Sequence, residues 1–120
     1  MKKVLIADDK AESRELLRTV LEKSGYEVHE AVDGVQALEQ ARALVPDLII
    51  LDLHMPRLDG FGAIEKLRQE DNFAATPILA LTASAMMGDR ERAITAGFSG
   101  YIAKPIGLNT LRNEVARLLR

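Results

Sequence analysis

Four consecutive aliphatic residues, Leu48-Ile49-Ile50-Leu51, stand between Asp47 and Asp52. A run this short, with no polar residue to turn toward solvent, is the pattern of a strand covered on both faces in a parallel sheet. A sheet covered in that way needs helices on both sides, and the flanking sequence supplies them. Val4–Ala7 reads as a buried strand, followed by Leu16, Leu17, Val20 and Leu21 at helical spacing and a stop at Ser24-Gly25. Tyr26–Ala31 alternates as a second strand, and Val35, Leu38, Ala41 and Leu44 mark a helix ended by Pro46. After the central run, Phe61, Ile64 and Leu67 give a third helical stripe, followed by a polar loop near Asn72. Pro77–Leu81 is the fourth strand, with a helix from about Ala85 to Ala96 closed by Gly97; Met86-Met87 opens it, at least one of the pair packing in the core. Gly100–Ala103 is the fifth strand, and Leu108, Leu111, Val115 and Leu118 line the last helix. Five strand-then-helix units with short connections predict a doubly wound α/β fold, a five-stranded parallel sheet with five helices. No repeat, linker or low-complexity tract divides residues 1–120, so one domain is expected.

In such a sheet, ligands lie outside the carboxyl ends of the strands. Strand one ends in Asp8-Asp9, strand three in Asp52, strand four in Thr82 and strand five in Lys104-Pro105. Singly, each has a plain explanation: an Asp or Thr at a strand end is most often a helix cap or solvated loop residue, and a lone Lys is solvated. Four such residues meeting at one sheet edge are better explained as a site. Carboxylates this close repel, about 3 kcal/mol for two unit charges about 5 Å apart at an effective dielectric near 20. Lys104 answers part of that repulsion, and an oxygen-ligated divalent cation such as Mg²⁺ answers the rest.

Other chemistries lack their residues. The chain has no cysteine, which excludes disulfides, thiolate metal sites and a cysteine nucleophile. Its two histidines, His29 and His54, are too few and too scattered for an imidazole zinc site. The formal net charge is −2 with no basic cluster, so no direct nucleic-acid partner is expected. Lys2-Lys3 precedes an apolar run too short for a signal peptide or membrane span, so a cytoplasmic protein with no membrane partner is expected. Gly60-Phe61-Gly62 lacks the third glycine of a dinucleotide fingerprint and follows a loop. Asp33-Gly34 and Asp59-Gly60 read as turns.

Over essentially its whole length the sequence resembles the receiver domain of two-component response regulators. The resemblance is carried by Val4-Leu5-Ile6-Ala7-Asp8-Asp9, Pro46-Asp47-Leu48-Ile49-Ile50-Leu51-Asp52, Met55-Pro56-Arg57-Leu58-Asp59-Gly60, Leu81-Thr82-Ala83 and Gly100-Tyr101-Ile102-Ala103-Lys104-Pro105. It implies a flavodoxin-like strand order, 2-1-3-4-5. It also implies that Asp52 is the phosphoacceptor for a phosphohistidine on a sensor histidine kinase or histidine phosphotransfer protein. Asp9 matches a direct Mg²⁺ ligand, Asp8 one acting mainly through water, and the backbone carbonyl of His54 the third protein ligand. Lys104 and Thr82 match the groups that contact phosphoryl oxygens. Tyr101 matches an aromatic coupled to Thr82, which implies switched partner binding through the face of helix 4, strand 5 and helix 5. The family also has a cis bond at its Lys-Pro; Lys104 must turn back over Asp52 just before a helix, so Lys104-Pro105 is expected to be cis. The domain would promote only its own phosphorylation and dephosphorylation and would not otherwise be an enzyme.

Two other classes fit the residues less well. An aspartyl-phosphate phosphohydrolase would close strand one with its nucleophile and carry a second Asp two residues later, where this chain has Lys10. A flavodoxin-like cofactor binder would have a hydroxyl- and glycine-rich loop in place of Asp8-Asp9-Lys10-Ala11-Glu12. The last predicted helix runs almost to Arg120, so no effector domain is expected within these residues. A stand-alone shuttle and a module of a larger regulator or hybrid kinase both fit that organisation.

Overall fold

Each apolar run forms a strand and each helical stripe a helix. The computed structural model describes residues 1–83 and 88–120. In chain order the elements are β1 (Lys3–Ala7), α1 (Ala11–Lys23), β2 (Glu27–Ala31), α2 (Gly34–Leu44), β3 (Leu48–Asp52), α3 (Gly60–Arg68), a 3-10 turn (Asp71–Phe73), β4 (Ile78–Thr82), α4 (Asp89–Ala96), β5 (Gly100–Ala103) and α5 (Leu108–Leu118). The expected start of the fourth helix near Ala85, with Met86-Met87, lies outside the described residues. No described helix is long and apolar enough to cross a membrane.

The five strands are all parallel, in the order β2-β1-β3-β4-β5 that the resemblance implied. Successive side chains on a strand point to opposite faces, and this divides the core into two layers. Leu5, Ala7, Ile49, Leu51, Ile78 and Ala80 face the side covered by α2, α3 and α4. Val4, Ile6, Leu48, Ile50, Leu79 and Leu81 face α1 and α5, meeting Leu17, Leu21, Leu111 and Val115. Every residue of β3 and β4 is buried, as two-sided cover requires.

β3 runs through Asp52 and β4 through Thr82, the residues expected to close those strands, and Asp52 pairs with Leu81 and Thr82 with Ala103. The polar side chains therefore stand on paired strand backbone and not on loops. Asp33 and Asp59 are more than turn residues: each accepts a backbone N–H three residues on, from Gln36 and Gly62, and caps the start of α2 or α3. The loop expected near Asn72 is a 3-10 turn whose Phe73 is fully buried.

Arg68, at the end of α3, ties this region together. Its Nε and Nη2 donate to the Gly97 carbonyl at 3.1 and 2.8 Å, and its Nη1 donates to the carbonyls of Phe73 and Thr76 at 2.6 and 2.7 Å. Partial burial pushes its pKa down, and no carboxylate is paired with it among the described residues, so carbonyl dipoles carry the compensation. Hydrogen bonds to a charged group each contribute about 1.5–3 kcal/mol. Arg68→Ala is expected to cost about 2 kcal/mol in urea unfolding. Arg68→Lys should recover only part, because an ammonium lacks the planar fork that reaches both ends of the contact.

Candidate functional site

The carboxyl edge of the sheet gathers Asp8, Asp9, Asp52, Thr82 and Lys104 from four strand ends. Asp8, Asp52 and Thr82 are 0%, 2% and 0% exposed, a depth at which an unpaired charge is not tolerated. Lys104 provides the pairing. Its Nζ donates to Asp8 Oδ2 at 2.8 Å and to Asp52 Oδ2 at 3.0 Å. The remaining oxygens accept backbone N–H groups, Asp8 Oδ1 from Lys10 at 2.9 Å and Asp52 Oδ1 from His54 at 2.9 Å. Lys104 is carried into place by β5, where its own N–H donates to the Thr82 carbonyl at 2.7 Å. The Lys104-Pro105 bond that follows is cis, as expected.

The loop after Asp52 is aimed by alternation. Leu53 and Met55 are buried while His54, Pro56 and Arg57 are exposed, so His54 reaches the site through its backbone and its imidazole faces solvent. Gly60 passes close behind: a Cβ there would lie 2.5 Å from the Asp52 carbonyl oxygen and 2.9 Å from the Leu53 Cα. Arg57 adopts φ 68°, a left-handed conformation uncommon outside glycine. Its Nη1 donates to Asp33 Oδ2 at 3.2 Å, tethering the loop to the start of α2.

Burial raises the Asp52 pKa above the ordinary carboxylate value; the His54 N–H and Lys104 oppose the shift and Asp8 adds to it. For Lys104, burial works against the charge, but the hydrogen bonds to Asp8 and Asp52 prevail and its pKa is raised. Lys104 is therefore a fixed cation beside a buried carboxylate.

A divalent cation fits this donor set. Oxygens of Asp8, Asp9 and Asp52 lie within 4.8 Å of one another, and three carboxylates facing one ammonium leave the cluster two charges short. Oxygen donors of this kind suit a hard ion such as Mg²⁺. The three carboxylates differ in how far they are committed. Asp8 and Asp52 are buried and hydrogen-bonded at both oxygens, whereas Asp9 is exposed and makes no side-chain hydrogen bond or ion pair among the described residues.

Residues 4–116 match the family described as response regulator receiver domain. The chain belongs to that family. This receiver domain is 38% identical over 120 residues to the DNA-binding dual master transcriptional regulator RpaA of Synechocystis; all of the chain is matched, but it spans only 50% of that protein. It is 38% identical over 107 residues to the polar-differentiation response regulator DivK of Brucella anthropi, covering 89% of the chain and 87% of that regulator. Among solved structures it is similar to the receiver domain of a sensor histidine kinase from Pseudomonas aeruginosa, which has a magnesium ion coordinated in its active-site cleft. That likeness has a TM-score of 0.91 at 34% identity and covers 98% of this chain and 97% of the other. The family's receiver domains act in two-component phosphorelay signalling.

All the expected side chains are thus in one place except Tyr101, which lies on β5 behind Thr82, half-buried against the cluster that includes Ala80, Ala93 and Phe98. The sequence reading missed Arg14, whose Nη1 donates to the Asp8 carbonyl at 2.8 Å, and the tether from Arg57 to Asp33. Each joins segments distant in sequence or ends on backbone, and no local pattern signals it.

The raised Asp52 pKa has a stability consequence. Native Asp52 holds its proton more tightly than the unfolded chain does, so its favourable contribution is present at low pH and is lost as the pH rises through its folded-state pKa. At neutral pH the buried carboxylate therefore costs stability. Asp52→Asn is expected to stabilise the fold at pH 7 by on the order of 1 kcal/mol, since each tenfold difference in proton affinity between the folded and unfolded chain is worth about 1.4 kcal/mol. Denaturant melts across pH check it, because the gain should shrink as the pH falls into the carboxylate range.

Proposed function

We propose that Asp52 accepts a phosphoryl group from a phosphohistidine on a sensor histidine kinase or a histidine phosphotransfer protein, at a site that also takes Mg²⁺. The observation that carries this reading is the buried Asp52 carboxylate, oriented by the His54 N–H and by Lys104 beside two further carboxylates. An Asp52 oxygen forms the new O–P bond in line with the P–N bond, which breaks, its electron pair leaving with the imidazole nitrogen. Phosphoryl transfer asks for positioning and charge neutralisation more than covalent chemistry from the protein. Lys104 Nζ, 3.0 Å from Asp52 Oδ2, stands where phosphoryl oxygens would gather negative charge. Thr82, buried one residue beyond Leu81, the β4 partner of Asp52, would donate a directional hydrogen bond from its hydroxyl to one of them. Mg²⁺, when bound, would offset the negative charge that Lys104 leaves uncompensated on the three carboxylates; Asp9, Asp52 and the His54 carbonyl would hold it, with Asp8 acting through water. The exposure and freedom of Asp9 support that division.

In this reading the domain promotes only the formation and hydrolysis of its own aspartyl phosphate and is not otherwise an enzyme. It works in the cytoplasm on a protein partner, without direct contact to nucleic acid or membrane. Output passes through Tyr101. As Thr82 turns to the phosphoryl group, the Tyr101 ring gains room to move inward. That motion reshapes the hollow between α4, β5 and α5 lined by Ile94, Tyr101 and Glu114. A ligand shifts such a two-state element only by its differential affinity for the states.

Two measurements test these steps. Acetyl phosphate with Mg²⁺ should raise the intact mass by one phosphoryl group, and Asp52→Asn should abolish the gain; equal labelling of the variant would sink the assignment. Amide chemical shifts on binding a phosphoryl analogue should change from Thr82 through Tyr101 into α4 and α5. Changes confined to the loops around Asp52 would leave the proposed output route without support.

A further inference from the structure

Phosphoryl transfer to Asp52 leaves Arg14 without a role, yet Arg14 reaches from α1 to grip the backbone of the acidic turn. It is the fourth residue of α1, and a helical side chain leans toward the helix N-terminus, so it reaches back over the β1–α1 connection. Its Nη1 donates to the Asp8 carbonyl at 2.8 Å and its Nε donates to Glu30 Oε1 at 3.0 Å. Two donors of one planar guanidinium engaged at once fix its orientation. Glu30 is in turn paired with Arg18, whose Nη2 donates to the Val28 carbonyl at 3.0 Å. The Arg14 side chain is only 16% exposed.

The Asp8 carbonyl and the Asp9 N–H belong to one rigid peptide plane. The Asp8 N–H is held separately by the Ala31 carbonyl at 3.1 Å. Asp8 is therefore fixed from both sides. Asp9 lies between that plane and the Asp9–Lys10 peptide, whose N–H donates to Asp8 Oδ1 at 2.9 Å, so the Arg14 contact sets one of the two planes from which its carboxylate leaves the chain.

We infer that Arg14, anchored on Glu30, is a positioning residue for divalent-cation binding: it holds the Asp8–Asp9 peptide so that the Asp9 carboxylate faces Asp52. The inference rests on reading the acidic cluster as a Mg²⁺ site. Charge alone makes the opposite prediction, since a cation beside the cluster repels a second one and its removal should tighten binding. The sign of the effect therefore separates positioning from electrostatics. A role confined to fold stability would lower the melting temperature and leave Mg²⁺ affinity unchanged well below it.

The experiment is calorimetric titration of Mg²⁺ into the full chain at fixed ionic strength, for wild type, Arg14→Ala and Arg14→Lys, with thermal melts of each in the absence of metal. Partners that orient a metal ligand typically contribute about 10- to 100-fold to affinity. Arg14→Ala is expected to weaken Mg²⁺ binding about tenfold. Arg14→Lys keeps the charge but cannot hold both acceptors, and should weaken it nearly as much. Unchanged or tighter binding by Arg14→Ala overturns the inference. Should that variant fail to fold, Arg14→Lys decides alone, and wild-type affinity in it overturns the inference equally. Wild-type protein that takes up no Mg²⁺ overturns the reading of the cluster itself, whereas Mg²⁺-binding wild type with unaffected variants removes only the role of Arg14.

Discussion

Lys104 Nζ lies between two carboxylates that have almost no contact with solvent, 2.8 Å from Asp8 and 3.0 Å from Asp52. Removing such charges from water costs several kcal/mol per ion, recovered only with close pairing and further hydrogen bonds. Here both carboxylates have them, through the N–H groups of Lys10 and His54. The pairing is also long-range: Lys104 is 96 residues from Asp8 and 52 from Asp52. It forms only when β1, β3 and β5 occupy their places in one sheet. The site therefore cannot be assembled by any local segment, and the sheet cannot close without bringing these charges together.

The same geometry sets Tyr101 close to the charged edge. Alternation along β5 sends Ile102 to the α1–α5 layer and Tyr101 to the side covered by α4. The β4–β5 register sets Ala80 opposite Tyr101 and Thr82 opposite Ala103. Lys104, Tyr101 and the partner strand of Thr82 thus share a few residues of one backbone. Arg68 fixes the far end of this region by binding the Gly97 carbonyl where α4 stops.

The parts legible in the sequence are those governed by periodicity and charge. Leu48–Leu51 signals two-sided cover because a parallel sheet leaves no face for solvent, and the polar residues closing the strands follow from that. Features fixed by contacts to distant backbone leave no such trace. Phe73 sits in a stretch rich in polar residues, yet it is fully buried because the 3-10 turn folds it under α3. Arg68 reads as an ordinary basic residue at a helix end, and its acceptors are carbonyls 5, 8 and 29 residues away. Asp33 and Asp59 read as turn residues because a cap and a turn have the same local composition; only the N–H donors from Gln36 and Gly62 distinguish them.

Asp8 and Asp9 show how far one residue of spacing can divide labour. Asp8 is buried and Asp9 exposed, although oxygens of both lie within 4.8 Å of Asp52 and of each other. Asp8 is consumed by structure, with Lys104 on one oxygen and the Lys10 N–H on the other. Asp9 keeps its lone pairs and its exposure. A carboxylate already satisfied by a lysine gives up part of that interaction when it serves an incoming cation, whereas an unsatisfied one gives up only water. The buried member of the pair thus stabilises the fold at the cluster's edge, and the exposed member holds the site's unspent negative charge. The peptide between the two is one of the two planes that set where that charge points, and in this protein a side chain of α1 fixes it.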